Sequence, residues 1–270
     1  MEVAVRKPLL QVTDIQWQVP WLCDDIATTA QPVMQMPVWR EGLNTVAQTM
    51  ALCNHRDLPL RFVPQAELPD GMAYEAYISN TGKVPTRDNL HDFFNGLVWL
   101  IYPNTKRQLN ALQAAEILKS GHATIPPLRG KLRDGATIFD ENAAIFASAD
   151  EKLVELLKMH RWQELFLTHQ SAFQQRCKVF LFGHALMEKL TAPYKAITAH
   201  AWVVAVEPDF FDWSGESQRA WLDQSLCAQL VQGLTTANFT PLPVLGIPGW
   251  WPNQDHAYYA DGQVFRPRRQ

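Results

Sequence analysis

The apolar positions of residues 85–102 recur with the spacing of a helix. They fall at i, i+3, i+4, i+7, i+8 and i+11, which is typical of one buried helix face: Leu90, Phe93, Phe94, Leu97, Val98 and Ile101. His91, Asp92 and Asn95 lie off that stripe, and His91 and Asn95 are one turn apart. The pattern predicts a helix over 85–102, capped by Thr86 or Asp88, that holds polar side chains at the edge of a core.

Other segments carry helix start and stop signals. Residues 106–119 are predicted to form a helix that ends at Gly121, a typical C′ residue. Asp150 is predicted to cap a helix with a bend near 168–171. Ser214 is predicted to cap another, which Gly233 ends.

A further helix is predicted to run to Leu190, with an apolar stripe formed by Phe173, Cys177, Phe180 and Leu181. Extending that spacing places His184 and Glu188 toward the interior, one turn apart. Such a carboxylate can orient the imidazole of a catalytic or metal-binding site. It can equally form an i, i+4 pair that only stabilises a partly exposed helix edge.

Three segments are predicted to form strands: residues 60–63, 136–148 and 196–206. The second is predicted as two strands joined by a polar turn at Asp140, Glu141 and Asn142. In the third, His200 shares a face with apolar residues, where a histidine is more often part of a core than a ligand.

These elements predict an α+β, helix-dominated single domain with a small, mostly antiparallel sheet. We expect one globular domain, residues 1–270, in which an N-terminal portion, 1–84, packs on a motif-bearing core, 85–270. Residues 234–270 are rich in proline, glycine and aromatic residues. They are expected to form an irregular C-terminal wrap.

The charge of the chain excludes a global attraction to nucleic acid or to an anionic membrane. There are 24 basic and 27 acidic residues, with a formal net charge of −3. The only dense basic run is Arg266, Arg268 and Arg269. No apolar run approaches about 18 residues, so no membrane segment is predicted.

Cysteine usage indicates the compartment. Cys23, Cys53, Cys177 and Cys227 are scattered without CxxC spacing. This spacing suggests neither a zinc knuckle nor a disulfide framework, and it favours reduced thiols in a cytoplasmic protein.

Several separated motifs resemble one known family. They are TRDNLHDFFNGLVW, RDGATIFDEN, LFGHALMEKL with PYKAITAH, and PLPVLGIPGWWP with VFRPRR. They are similar to the bacterial domain-of-unknown-function family numbered 3025, over roughly residues 85–269. The resemblance implies a single bacterial, cytoplasmic domain, and it implies no activity, substrate or cofactor.

The residues themselves support the hypothesis of a hydrolase whose site draws on separate elements. We expect the catalytic groups to be His91, Asp92, Asn95, His184 and Glu188. A divalent metal ion would be held by His91, His184 and His200, because imidazole and carboxylate groups suit transition metals. Glu188, Glu141 or Asp140 would then serve as general base.

Substrate contacts are expected from a second set: Tyr194, Lys195, Asp140, Glu141 and Asn142. The alternative is that Lys195 is only a solvated surface lysine and that Asp140, Glu141 and Asn142 only form the tip of a hairpin. The substrate partner would be a small molecule or a protein.

Two other hypotheses stay open. In a metal-free enzyme, Asp92 or Glu188 orients a histidine, while Lys195 or Asn95 stabilises developing negative charge. In a non-catalytic protein-binding or structural domain, the same His, Asp and Glu residues form a buried polar network. Convergence of His91, His184 and His200 around an open cavity would favour catalysis.

Overall fold

Helices dominate the structure, a computed structural model that describes residues 11–22, 25–120 and 130–268. The α-helices are α1 (Asp25–Met34), α2 (Trp39–Thr49), α3 (Tyr74–Thr81), α4 (Leu90–Ile101), α5 (Pro103–Ser120), α6 (Lys131–Asn142), α7 (Glu151–Lys158), α8 (Gln170–Arg176), α9 (His184–Leu190), α10 (Gly215–Gln232) and α11 (His256–Tyr259). The strands are β1 (Arg61–Pro64), β2 (Lys83–Thr86), β3 (Ala143–Ser148), β4 (Cys177–Leu181), β5 (Thr198–Ala205) and β6 (Thr240–Pro243). The predicted helix-dominated α+β class is confirmed.

The main sheet is mixed, with two antiparallel pairings and one parallel pairing. Its strand order is β4-β3-β5-β6, in which β3 pairs antiparallel with β4 and parallel with β5, and β5 pairs antiparallel with β6. The strand at Phe62 belongs to a separate parallel pair, β1 with β2. Parallel pairing requires a long crossover, and α7, α8, β4 and α9 lie between β3 and β5 in the chain.

The helix predicted over 85–102 begins later than expected. Its first residues belong to β2, which pairs with β1. The N-cap is Asn89, whose side chain accepts a hydrogen bond from the backbone N–H of Asp92. Thr86 and Asp88 do not cap, because Thr86 is the last residue of β2 and the carboxylate of Asp88 accepts a hydrogen bond from the indole N–H of Trp39.

The hairpin predicted over 136–148 is wrong. Residues up to Asn142 complete α6, and only Ala143 onward form a strand. Within α6, Ala136 and Phe139 are spaced i, i+3 and are both buried, so this short apolar pattern fits a helix as well as it fits a strand. Asp140 and Glu141 therefore lie in the last turn of a helix rather than at a hairpin tip.

The long helix predicted to reach Leu190 is also wrong. Residues 177–181 form β4, which pairs with β3 from Leu181 opposite Ala144 to Cys177 opposite Ser148. A new helix, α9, begins at His184 after Gly183. His184 therefore occupies a first helical turn beside the end of α6, a position that the apolar stripe did not predict.

Several predicted ends are confirmed. Asp150 caps α7, and Ser214 caps α10, which Gly233 follows. The bend predicted near 168–171 is found at His169, between a π-helical segment that ends at Thr168 and α8, which begins at Gln170. Gly121 lies outside the described residues. The C-terminal wrap is less irregular than expected, because β6 adds a strand to the main sheet.

Buried apolar side chains from Ile15 to Phe265 form one hydrophobic cluster around the sheet. All six residues of β3 are buried. The helices α1 and α2 pack on α4, and both α4 and α6 pack on α9. Within the described ranges, no helix has the length and apolarity needed to cross a bilayer.

Candidate functional site

The beginnings of α4 and α9 and the end of α6 bring together two imidazoles and a carboxylate. Nε2 of His91 lies 3.0 Å from Nε2 of His184. One carboxylate oxygen of Glu141, Oε2, lies 3.5 Å from Nε2 of His184 and 3.9 Å from Nε2 of His91. In the part of the chain that the structure describes, these three residues form a group with the spacing of metal ligands. We call them the His91/Glu141/His184 cluster.

Backbone geometry fixes this convergence. A Cβ on Gly183 would lie 2.5 Å from the carbonyl oxygen of Glu141 and 2.6 Å from the backbone nitrogen of Ala143. The backbone N–H of Gly183 donates to the carbonyl of Ala143 at 2.8 Å. Only glycine permits this approach, which places His184 directly beside Glu141.

Glu188 orients His91 rather than its helical neighbour His184. Oε2 of Glu188 lies 2.9 Å from Nδ1 of His91. A carboxylate accepts a hydrogen bond from Nδ1–H, so the lone pair of His91 lies on Nε2 and faces the cluster.

His184 is buried and its second nitrogen lacks a partner. The residue is 4% exposed, and Nδ1 has no hydrogen bond of ordinary geometry: it lies 4.0 Å from Oδ2 of Asp140, and the backbone of Asp140 is the other polar group that interacts with the imidazole. Burial lowers the pKa of His184 to about 4, although the negative charge of Asp140 opposes the shift. The imidazole is therefore neutral at neutral pH, as a metal ligand must be.

A buried lysine extends the polar network behind the cluster. Nζ of Lys106 donates to Oδ1 of Asp140 at 2.6 Å and to Oδ1 of Asn95 at 2.9 Å. The Asn95 amide in turn donates to the hydroxyl of Tyr74 at 3.1 Å. Burial alone would raise the pKa of Asp140, but the charge and hydrogen bond of Lys106, together with the nearby His184 and His91, outweigh it and hold that pKa below its usual value.

Lys106 and Tyr74 were missed at the sequence level. Lysines are rarely buried, and nothing in the pattern of α5 separates Lys106 from a solvated lysine. Burial raises the pKa of Tyr74 well above its usual value, so its hydroxyl stays protonated.

The cluster opens into a cleft of about 460 Å³. Glu141 reaches the cleft with a side chain that is 41% exposed, and mainly its desolvation raises the pKa of its carboxyl group. The cleft is also lined by Tyr74, Asn95 and Asp140, and by Arg87 and Arg133. An open cleft gives water and a substrate access to the three donor atoms.

Asp92 lies at the cleft but is engaged by Arg87. Its two oxygens accept from Nη2 and Nε of Arg87 at 2.8 and 3.1 Å, and Oδ2 also accepts from the backbone N–H of Arg87. Asp92 therefore fixes the chain before α4 and holds the guanidinium group of Arg87 at the cleft.

Five of the residues expected at the site do not line this cleft: Glu188, which contacts His91 from behind, and Tyr194, Lys195, Asn142 and His200. Lys195 is paired with Asp261 at 2.8 Å. His200 lies on β5, with Nδ1 3.0 Å from the side-chain nitrogen of Asn142. The structure thus brings Glu141, rather than His200, to His91 and His184.

The donor atoms of the cluster are of the kinds that could hold a metal ion. Two imidazoles and one carboxylate are the ligand set of several catalytic zinc centres, which keep a position open for water. The same set with open positions also suits other divalent transition metals.

No curated protein and no solved structure matches the chain significantly. The family model described as a protein of unknown function (DUF3025) matches residues 60–269, a range that contains the whole His91/Glu141/His184 cluster. Since that match covers more than half of the sequence, the chain belongs to the DUF3025 family.

Proposed function

We propose that this protein is a metal-dependent hydrolase. In this proposal Nε2 of His91, Nε2 of His184 and the carboxylate of Glu141 hold a divalent transition-metal ion. The observation that carries the proposal is the approach of these donor atoms to 3.0, 3.5 and 3.9 Å of one another beside an open cleft.

The distances fit a metal ion with little rearrangement. Ligand atoms about 2.0–2.2 Å from a tetrahedral ion lie roughly 3.3–3.6 Å apart. The three observed separations lie on both sides of that range. Side-chain movements of a few tenths of an ångström would therefore bring all three donor atoms to the distances of metal ligands.

The unpartnered nitrogen of His184 supports the same proposal. If Nδ1 of His91 donates to Glu188, then Nε2–H of His184 must donate to Nε2 of His91, and Nδ1 of His184 is left as a buried acceptor without a donor. With both Nε2 atoms on a metal ion, Nδ1 of His184 carries the proton and faces the carboxylate of Asp140. Such carboxylates behind histidine ligands are usual in metal sites.

The reaction would be hydrolysis by metal-activated water. Such an ion would supply a water of lowered pKa and a Lewis acid for an electrophilic carbon or phosphorus group of the substrate. Nε2 of His91, Nε2 of His184 and the carboxylate of Glu141 would hold it at the mouth of the cleft, and Glu188 would keep the lone pair of His91 directed at it. Asn95 and Tyr74 present hydrogen-bonding groups to the same cleft.

The test is the metal content of the purified, tag-free protein, measured by plasma mass spectrometry after loading and gel filtration. Wild type should retain close to one equivalent of a divalent transition metal. His91→Gln, Glu141→Gln and His184→Gln should retain far less while their circular dichroism stays native. His200→Gln is the matched control, since His200 is a partly buried histidine outside the cluster, and it should bind metal as wild type does.

Loss of metal binding in His200→Gln alone, or no retention by wild type, would contradict the proposed ligand set. A confirmed site would justify a screen of ester, amide and phosphoester substrates, with the His184→Gln protein as the inactive reference.

The hydrogen bonds already present favour a second candidate function. Glu188, His91 and His184 form a continuous chain of contacts without any ion, and Lys106 neutralises Asp140. In a non-catalytic domain this network would only hold α4, α6 and α9 together. Variants of the cluster would then melt at lower temperature, and wild type would bind no metal.

A further inference from the structure

The main sheet has an unpaired edge beyond the end of β6. The carbonyl of Ile197 accepts from the N–H of Val244 on the β6 side, whereas the N–H of Val206 donates to Ser148 next to β3. Because backbone groups alternate sides along a strand, the N–H and C=O of odd-numbered residues of β5 point toward β6. The pairing of β5 with β6 ends at Ala201, which lies opposite Thr240. The backbone N–H and C=O of Val203, two residues further along β5, therefore have no partner in β6.

The outer edge of β6 itself is protected. Val244 donates to Ile197, so the positions of β6 whose nitrogens face outward are Pro241 and Pro243. Proline has no N–H to offer another strand, which is a usual way to protect an edge. The backbone groups of this sheet edge that remain open to a partner are therefore those near Val203.

That open edge lies in a basic cleft. Val203 lines a cleft of about 1130 Å³, to which Lys158, Arg266 and Arg268 also contribute, and no acidic residue is among its described lining residues. Arg266 donates to the carbonyl of Gln263, and Arg268 contacts the sulfur of Met159. Among the described residues no carboxylate pairs with either guanidinium group, so the structure places the Arg266 and Arg268 charges of the basic run at this cleft.

The two indole rings of the cleft do not offer the stacking faces that nucleic acids use. Trp162 and Trp202 are each 5% exposed. The indole of Trp162 stacks on His160 and Phe166, and that of Trp202 packs on Phe139 and Phe239. Single-stranded nucleic acids bind through bases stacked on open aromatic faces, whereas an added strand needs the backbone edge and the charges that are available here.

We propose that this cleft binds an acidic, extended segment of a partner protein, which adds as a strand to β5 at Val203. Backbone hydrogen bonds to the edge of β5 supply the attachment, and Lys158, Arg266 and Arg268 select acidic side chains. This surface is separate from the His91/Glu141/His184 cluster and does not depend on the function proposed for it.

The probe is a capped, fluorescein-labelled peptide of alternating glutamate and valine, followed by fluorescence anisotropy with the full chain. Val203→Pro removes the edge N–H at a position where that group faces away from β3, and edge strands tolerate proline there. Val203→Thr is its matched control, because it keeps the N–H. We expect wild type and Val203→Thr to bind alike and Val203→Pro to lose about tenfold or more in affinity.

The charge variants give an independent readout if Val203→Pro does not fold. Combined Lys158→Glu, Arg266→Glu and Arg268→Glu should weaken peptide binding by about tenfold, and added salt should weaken wild type in the same direction. Lys152→Glu, an exposed charge reversal on the same helix as Lys158 but outside the cleft, should change little. Four outcomes would each overturn the proposal. The charge variant could bind the peptide as tightly as wild type does, or wild type could bind a peptide of alternating lysine and valine equally well. Wild type could also fail to bind the acidic peptide at millimolar concentration, or bind oligo(dT) instead of it.

Discussion

The contact between the side chains of Glu188 and His91 decides which nitrogen of His91 faces the cleft. Glu188 lies 2.9 Å from Nδ1, so the tautomer with the proton on Nδ1 is favoured and Nε2 keeps its lone pair. The i, i+4 spacing of His184 and Glu188 predicted a different pair, on one helix. In the folded chain Glu188 instead reaches a histidine 97 residues away in sequence.

Replacing Glu188 by glutamine tests this role without removing a proposed ligand. Glu188→Gln keeps the shape of the side chain but loses the charge that favours the Nδ1–H tautomer. We expect its affinity for a divalent transition metal to fall by about 10- to 100-fold, measured by isothermal titration calorimetry. Glu155→Gln, an exposed change on α7, is the control and should titrate as wild type does. Equal affinities in the two variants would mean that Glu188 does not orient a ligand.

At the scale of elements, Gly183 joins the end of α6 to the start of α9. A Cβ at this position would meet three backbone atoms of residues 141–143 at 2.5–2.6 Å. Backbone cannot move aside as a flexible side chain can, so the two helix ends would have to separate. Glu141 and His184 would separate with them.

Gly183→Ala should therefore both destabilise the protein and weaken metal binding. We expect a loss of about 1–3 kcal/mol in the free energy of unfolding, measured by urea denaturation, together with weaker metal retention at low denaturant. Gly262→Ala provides the control, because a Cβ there meets no atom within 4 Å. A Gly183→Ala protein with wild-type stability would show that the close approach is not maintained in solution.

At the scale of the whole molecule, the cluster depends on helices far apart in sequence. His91, Glu141 and His184 lie on α4, α6 and α9, and the packing of α4 and α6 on α9 brings them together. An ion bound by all three would couple these helices, and a ligand that binds only the folded state stabilises it.

Thermal unfolding measures this coupling. At a metal concentration about 100 times the dissociation constant, the folded state gains about 2.7 kcal/mol, which corresponds to a rise in Tm of roughly 5–10 °C for a chain of this size. A chelator should reverse the rise. His184→Gln should show no metal-dependent shift, and His200→Gln should shift as wild type does. An equal shift in His184→Gln would indicate binding elsewhere on the chain.

The sequence determined the features that depend on neighbouring residues. The caps at Asp150 and Ser214, the apolar face of α4 and the helix-dominated α+β class were all predicted, because capping and amphipathic spacing are local. The polar character of His91 and Asn95 at the edge of that face was visible for the same reason. Sequence motifs likewise predicted the family to which the chain belongs.

Only the tertiary structure decided what depends on contacts between distant residues. Short apolar runs such as 136–143 and 177–181 fit a helix or a strand equally, and pairing across β3, β4 and β5 made the choice. The same packing placed Glu141 in the cluster and left His200 on the sheet beside Asn142. It also buried Lys106 next to Asp140, because the environment of a side chain is set by the elements packed around it and not by its neighbours in sequence.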